Sequence, residues 1–218
     1  MNVRSEDLTA RARIRDAAVA RFGRDGFRAP VRTIAEDAGV SAALVIHHFG
    51  SKEALRAACD EHVLAVIREQ KSSAITQASP AETIGMLATV REYAPLFAYI
   101  VRSLLDGGVL AAHFVDGLVE DAAAYLAAGE ETGTIRSTAD PHGRARQVIA
   151  TQMGLLVLAQ LDAAAGRGTA PTEDPGTAIE ELTSRSMLAG LELYTHGLFT
   201  DSSYLDAYQH YRQDKEKP

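Results

Sequence analysis

The sequence predicts an all-α protein. Three observations predict this class: apolar residues recur with the helical period in nearly every segment, no segment alternates convincingly as a strand, and capping residues and helix breakers divide the chain into helix-length pieces. With 218 residues, 46% of them hydrophobic, the chain is long enough to bury a sizeable core.

Four helices are predicted in the first third of the chain. Ile14, Ala18 and Phe22 form the apolar stripe of the first helix, and Gly26 suits the left-handed residue that ends it. Pro30 suits the first turn of the second helix. The predicted spans are about 8–25, 30–38, 41–48 and 52 onward.

The remainder of the chain is also predicted to be helical. Ser79-Pro80-Ala81-Glu82 has the form of a capping box, with a serine at the N-cap and a glutamate three residues later, so a helix is expected to begin there. Segment 166–176 is rich in glycine and proline and is predicted to be a loop. Further helices are predicted at about 92–106, 109–128, 141–165, 176–196 and 202–213.

Charge is distributed unevenly along the chain. The net charge of −7 by itself disfavours binding to a polyanion, but residues 1–58 carry ten Lys or Arg against seven Asp or Glu. A mildly basic head on an acidic body suggests two functions on one chain.

The sequence has neither the apolar segments expected of a membrane protein nor the cysteines needed for an internal disulfide. The longest clean apolar run, residues 153–159, is far shorter than the roughly 18 residues that span a bilayer. The amino terminus has no apolar stretch of the signal-peptide type, and Cys59 has no second cysteine to pair with. We therefore expect a cytoplasmic protein with no membrane partner.

Residues 32–51 meet the physical requirements of a helix-turn-helix. Ala35 is small enough for a second helix to cross closely, and Gly39 stands where the turn needs a positive φ. Val40, the residue after the turn, is predicted to pack in the core.

The third helix is predicted to have a buried and a free side. Val45 and Phe49, four residues apart, form an apolar underside. Ala43 and His47 point away from Val45, so this face is free to enter a major groove, which is wide enough to admit a helix.

The motif Ala35-Glu36-Asp37-Ala38-Gly39-Val40-Ser41, followed by His48-Phe49-Gly50-Ser51-Lys52-Glu53-Ala54-Leu55, resembles the amino-terminal domain of the TetR/AcrR family of transcriptional regulators. Phe22 and the Gly26-Phe27 pair also lie where that family has aromatic and glycine positions. The match covers roughly residues 9–69.

The resemblance implies a two-domain organisation. A three-helix DNA-binding domain is expected at 8–69, with its helix-turn-helix at about 32–51, followed by a larger helical effector-binding and dimerisation domain at 70–213 and a frayed tail at 214–218. Such proteins are usually homodimers whose effector loosens DNA binding. We therefore expect a homodimeric repressor of near-palindromic double-stranded operator DNA that is controlled by a small, largely apolar ligand.

The DNA contacts are predicted from the helix-turn-helix and the start of the fourth helix. The family usually has a tyrosine where this chain has Ile46, so one phosphate contact is expected to be absent. The predicted DNA-binding residues are Arg32, Thr33, Ser41, Ala42, Ala43, Leu44, His47, His48 and Lys52.

Aromatic and sulfur-containing side chains of the body are candidates for an apolar effector cavity. The alternative is that they simply fill the core. The candidate ligand-binding residues are Met86, Tyr93, Phe97, Phe114, Tyr125 and Met153. The dimer surface is predicted on the last long helices, around 154–158 and 188–194.

No cofactor, metal site or catalytic set is expected. His47 and His48 are adjacent on a helix and point about 100° apart, which does not suit one metal ion. Cys59 and His62 have no third partner in register, which favours a packed thiol. Two alternatives to the DNA-binding regulator remain at this stage: an adaptor of the same fold that binds protein, and an α-helical enzyme.

Overall fold

The computed structural model describes residues 3–77 and 79–216, and these residues form helices and loops with no strand. The all-α prediction is confirmed. The helices are α1 Val3–Asp25, α2 Val31–Ala38, α3 Ala42–Phe49, α4 Lys52–Thr76, α5 Pro80–Gly85, a 3-10 helix Met86–Tyr93, α6 Ala94–Asp106, α7 Gly108–Glu131, α8 Pro141–Ala164, α9 Pro175–His196 and α10 Ser203–Glu216.

The capping box at the start of α5 is confirmed. The backbone N–H of Ser79 donates to Glu82 Oε2 at 2.7 Å, and the N–H of Glu82 donates to Ser79 Oγ at 3.2 Å. The helix that follows is shorter than its start signal suggested, because α5 ends at Gly85 and a 3-10 helix continues to Tyr93. Pro95, which lacks an N–H, then lies in the first turn of α6.

One core cluster joins the first four helices to α6, α7 and α8. Phe22, Ile34, Val45 and Leu55 are buried in it, together with Tyr99 of α6. The head formed by α1–α4 therefore shares its apolar interior with the helices of the body.

Helices α1 and α6 approach each other closely at Gly23. A Cβ at this position would lie 2.9 Å from the Ala98 Cβ and 3.0 Å from the Tyr99 backbone nitrogen. Any larger residue here has to push α6 away from the head, because one of the two contacts is backbone.

A second, smaller cluster links α6, α8 and the first half of α9. It contains Phe97, Val101, Leu156 and Ala178, and Met153 packs against both clusters. Helix α8 is also the one helix of the described chain that is long and apolar enough, by length and composition, to cross a membrane. Its buried residues pack into the two clusters.

The chain divides into two packing units, Met1–Leu182 and Thr183–Pro218. The predicted boundary between 8–69 and 70–213 falls within α4 and within the first unit, and it stays a prediction. Of the predicted tail 214–218, the backbone of α10 continues to Glu216, and residues 217–218 lie outside the described residues.

Candidate nucleic-acid interface

The turn between α2 and α3 is closed by backbone hydrogen bonds around Gly39. This residue adopts φ 65° and ψ 39°, the left-handed conformation that the sequence suggested. The Val40 N–H donates to the Ala35 carbonyl at 2.9 Å, and Arg13 Nη2 donates to the Ala38 carbonyl at 2.8 Å. The last carbonyls of α2 are thereby satisfied, and the direction of α3 is set by the turn.

Helix α3 is held by its underside. Val45 and Phe49 are buried, and the guanidinium of Arg11 on α1 lies over the Phe49 ring at 4.9 Å from the ring centre. Ser41 caps the helix by accepting a hydrogen bond from the Leu44 N–H at 3.2 Å. The opposite side of α3 remains open to solvent.

The predicted DNA-binding residues fall into two groups in the structure. The exposed ones are Arg32, Ser41, Ala42, Ala43 and His47, and the half-buried ones are Thr33, Leu44, His48 and Lys52. Arg32 and Thr33 lie on α2, Ser41 is the N-cap of α3, five residues lie on α3, and Lys52 begins α4. Their contact with DNA stays a prediction.

Two neighbours of this group modify its chemistry. Arg32 Nε donates to Glu36 Oε1 at 3.1 Å, so a phosphate has to compete with a carboxylate for this guanidinium. Sequence reasoning did not weigh Glu36, although the four-residue spacing on a helix signals the pair. Ile46 is 44% exposed, so the position that lacks the family's tyrosine is open to solvent.

Helices α1 and α2 are joined by an ion-pair cluster at Arg21. Its guanidinium donates to both carboxylate oxygens of Asp37, at 2.6 and 2.7 Å, and to Asp25 at 2.8 Å. Hydrogen bonding to Arg21 is the main reason that the pKa of each carboxyl lies below its usual range. The cluster fixes α2 on α1 and so positions the helix-turn-helix.

Polar contacts join α6 to the head. The Tyr99 hydroxyl donates to Asp60 Oδ1 of α4 at 2.6 Å, and Arg102 Nη2 donates to the Arg24 carbonyl of α1 at 3.2 Å. Burial raises the pKa of the Asp60 carboxyl, and burial together with Asp60 raises the pKa of the Tyr99 hydroxyl. The Tyr99 phenol therefore keeps its proton and donates it in a hydrogen bond to the Asp60 carboxylate inside the contact between head and body.

The candidate effector residues are distributed over both core clusters. Phe114 and Tyr125 are buried in the larger cluster, Phe97 is buried in the smaller one, and Met153 packs against both. Tyr93 is half-buried at the end of the 3-10 helix. The side chain of Met86 lies outside the described residues. Whether these side chains bind a ligand stays a prediction.

Cys59 has the environment of a packed thiol. It is buried, its Sγ faces the Arg15 carbonyl at 3.8 Å, and burial raises its pKa to about 12. A thiol with that pKa is a poor nucleophile at neutral pH. His62 instead faces Asp16 at 3.7 Å, and within the described residues no three His, Cys, Asp or Glu side chains are grouped as metal ligands are.

A short helix anchored on its apolar side, with a glycine turn before it and an open outer face, defines the helix-turn-helix class of DNA-binding proteins. Comparison with known proteins gives the family. Residues 14–59 match the sequence model described as "Bacterial regulatory proteins, tetR family", and residues 91–200 match "Tetracyclin repressor-like, C-terminal domain".

A curated relative covers almost the whole chain. The chain is 44% identical over 207 residues to the HTH-type transcriptional regulatory protein RaaS of Mycobacterium tuberculosis (strain ATCC 25618 / H37Rv), and the match covers 94% of each protein. The chain belongs to the TetR family of transcriptional regulators. It is a DNA-binding regulator with a ligand-binding C-terminal domain.

Solved structures of distant relatives share the fold. One, described as "Molecular basis for control of antibiotic production by a bacterial hormones", aligns with a TM-score of 0.57 at 23% identity and covers 89% of this chain and 98% of its own. Salmonella enterica GusR aligns with a TM-score of 0.52 at 22% identity and covers 84% and 95%. At these identities the likeness concerns the fold alone.

Proposed function

We propose that the protein is a cytoplasmic homodimeric repressor that binds a near-palindromic operator and changes its DNA affinity when a small, largely apolar ligand enters the body. The observation that carries the proposal is the state of α3. Its underside, Val45 and Phe49, is buried, while Ala43 and His47 on the other side are exposed. A helix held in this way presents one face to bases without unfolding.

The open face of α3 has few hydrogen-bonding groups. Ala42 and Ala43 offer methyl groups, which suit apolar contact with thymine methyls. Phosphate contacts then position the head, with Lys52, the Ser41 hydroxyl and the amino end of α4 as the main candidates. Arg32 joins them when its pair with Glu36 opens.

Dimerisation is supported by exposed apolar residues on α8 and α9. Val157, Leu158 and Leu161 are exposed on α8, and Leu188 and Leu191 are exposed on α9. Gly154 and Gly190 stand beside these residues with no heavy atom within 4 Å of a built Cβ, which leaves room for a second helix to approach. A second copy of the chain is the occupant that a two-fold operator requires.

Effector control is supported by the two faces of α6. Phe97, a candidate effector residue, packs in the smaller core cluster, while the next two residues, Ala98 and Tyr99, pack against Gly23 of α1. A ligand that shifts Phe97 therefore acts on the helix that holds the head. A change in head position of this kind alters DNA affinity by a shift of populations, without chemistry.

The operator is tested by selection of bound DNA from a random-sequence library with the purified full-length protein. We expect the enriched fragments to contain two inverted half-sites separated by about one helical turn, or a multiple of it, because two heads related by a two-fold axis meet successive major grooves. Enriched fragments with a single half-site and no inverted repeat contradict the dimeric mode.

Lys52 tests the assignment of a phosphate contact. We expect Lys52→Ala to weaken binding to the selected operator and to random DNA about equally, and to flatten the slope of log affinity against log salt by about one unit. Fluorescence anisotropy over a series of salt concentrations measures both quantities.

Lys215→Ala is the matched control, because Lys215 is exposed on α10, far along the chain from the helix-turn-helix. This variant is expected to keep the wild-type slope. An altered sequence preference with an unchanged salt slope in Lys52→Ala contradicts the phosphate-contact role.

A further inference from the structure

Helix α3 presents a small set of side chains to solvent on the side away from the core. Val45 and Phe49, four residues apart, are buried and mark the inner side of the helix. At 100° per residue, Ala43 and His47 lie opposite Val45, and both are exposed. These two residues therefore form the centre of the outer face, which is the face that enters the major groove in the proposed function.

Aliphatic side chains lie on both flanks of that centre. Ile46 stands on one flank and is 44% exposed, and Leu44 stands on the other and is half-buried. Neither side chain can donate or accept a hydrogen bond. The exposed isoleucine can therefore offer a base only an apolar contact.

His47 is the one residue of 42–47 whose side chain can form hydrogen bonds. Its ring meets the ring of His48 edge to face, with 5.6 Å between the ring centres. At the start of the helix, the Ser41 hydroxyl oxygen already accepts a hydrogen bond from the Leu44 N–H at 3.2 Å. Recognition of bases by side-chain hydrogen bonds from residues 42–47 is therefore confined to one imidazole.

The side chains that most often recognise purines do not occur in α3. Arginine and lysine are the common bidentate partners of guanine, and asparagine and glutamine are those of adenine, but residues 42–49 contain none of the four. The one guanidinium of residues 31–49 is that of Arg32 on α2, and its Nε donates to Glu36 Oε1 at 3.1 Å. Sequence recognition by α3 has to use other contacts.

The composition of this face matches two features of the major groove. Thymine alone among the four bases presents a C5-methyl group there, and contact between this methyl and an aliphatic side chain removes apolar surface from water. Guanine presents two neighbouring acceptors, N7 and O6, whereas adenine has a donor beside its N7. The N–H of the His47 imidazole therefore suits guanine N7 better than adenine N7.

We propose that α3 recognises its half-site mainly through thymine methyl groups, with Ile46 and Ala43 as the residues that determine specificity, and that His47 donates to N7 of one guanine. The inference rests on the proposed repressor function and adds the class of half-site that the protein binds. Ile46, where the family usually has a tyrosine, exchanges a phosphate contact for an apolar contact with a base.

The first test removes methyl groups, and nothing else, from the operator obtained by selection. Replacing every thymine of both half-sites with deoxyuridine keeps base pairing and all hydrogen-bonding groups. We expect the affinity of the full-length wild type to fall by about tenfold or more, since one buried methyl is worth about fourfold and there are two half-sites. Random DNA with and without the replacement is expected to bind equally, because phosphates supply that affinity.

Ile46→Ala tests the protein side of the same contact. This variant is expected to bind the thymine operator about fivefold more weakly and to bind the uracil operator as the wild type does, because no methyl is left for the side chain to contact. A purely structural role of Ile46 predicts equal losses with both operators. Ile84→Ala, which removes an isoleucine that is 48% exposed on α5, is the matched control and is expected to behave as the wild type.

His47 is tested with 7-deazaguanine, which lacks the N7 acceptor and keeps Watson–Crick pairing. Replacing the guanines of both half-sites is expected to weaken binding of the wild type by about fivefold and to leave the weaker binding of His47→Ala unchanged. His113→Ala removes an exposed histidine from α7 and is expected to respond to the replacement as the wild type does.

The outcomes separate this inference from the proposed function. If the uracil operator binds as tightly as the thymine operator, or if Ile46→Ala weakens both alike, recognition of methyl groups is overturned while a sequence-specific regulator stands. If 7-deazaguanine affects the wild type and His47→Ala equally, the role of His47 is overturned. If selection enriches no sequence, α3 recognises no bases, and the inference falls together with the operator part of the proposed function.

Discussion

At the scale of single residues, the guanidinium of Arg21 joins α1 to α2 and so contributes to the position of the helix-turn-helix. Arg21 is mostly buried and binds Asp37 through two hydrogen bonds and Asp25 through one. A bidentate pair of this kind fixes both distance and orientation, which a single lysine contact does not. No sequence pattern indicates the pair, because Asp37 is sixteen residues from Arg21 and is brought close only when the chain turns between α1 and α2.

The pair makes the stability of the head depend on acid. The Arg21 hydrogen bond lowers the pKa of Asp37 in the folded state, so the stabilisation is present above the unfolded-state pKa of about 3.9 and is lost as the pH falls through the lower folded-state pKa. We expect Asp37→Asn to reduce the unfolding free energy by about 1 kcal/mol or less at pH 7, since the carboxylate is one-third exposed, and by less at pH 3.

Urea unfolding at the two pH values measures this difference. Asp116→Asn is the control, because Asp116 is exposed and forms no ion pair within the described residues. Its curves are expected to parallel those of the wild type. An Asp37→Asn deficit of the same size at pH 3 and pH 7 rules out the ionised pair as its cause.

At the scale of elements, the turn between α2 and α3 converts two ordinary helices into a DNA-reading unit. The left-handed Gly39 reverses the chain within a few residues, and the Ser41 cap starts α3 immediately after it. Both features depend on residue type rather than on distant contacts. A single substitution in the turn is therefore expected to lower stability through the local backbone conformation rather than through distant contacts.

We expect Gly39→Ala to lower the unfolding free energy by about 1–2 kcal/mol, because a Cβ is strained at φ 65°, and Gly39→Asn to lower it by less, since asparagine tolerates this conformation. Thermal unfolding followed by circular dichroism measures the change. Gly85→Ala is the matched control: Gly85 has φ −57° and nothing within 4 Å of a built Cβ, so no loss of stability is expected. Equal effects at the two glycines contradict the strain explanation.

The distinction between features set by local residue type and features set by distant contacts explains how much of the fold the sequence predicts. Local signals are sufficient for the capping box at Ser79, the glycine turn and the apolar underside of α3, and the structure has all three. The 3-10 helix Met86–Tyr93, which follows the short α5, is not evident from them, nor is the earlier start of α1 at Val3. For the candidate site, sequence patterning groups the exposed residues of α3, and the four-residue spacing indicates the Arg32–Glu36 pair. The Arg21–Asp37 pair, in contrast, depends on a contact that only the fold creates.

At the scale of the whole molecule, α8 and α9 each carry exposed apolar residues that a single copy leaves unexplained. Leu158 is 57% exposed and Leu188 is 71% exposed, and each has other exposed aliphatic residues beside it. The apolar composition that lets α8 resemble a membrane span is, in our proposal, the composition of a helix buried between two copies. Covering both helices also accounts for the glycines among them.

Leu158→Glu and Leu188→Glu test this arrangement. A glutamate in the centre of an apolar interface has to be desolvated without a partner, so each variant is expected to be monomeric at micromolar concentration by light scattering, where the wild type is dimeric. Val109→Glu, at a position 71% exposed on α7, is the control and is expected to remain dimeric.

Because two linked heads bind a two-fold operator far more tightly than one, we expect the monomeric variants to lose about a hundredfold or more in operator affinity while keeping their affinity for a single half-site. A dimer that persists in both variants places the interface elsewhere on the molecule. A wild-type protein that is monomeric and still binds the inverted repeat at full affinity contradicts the dimeric mode itself.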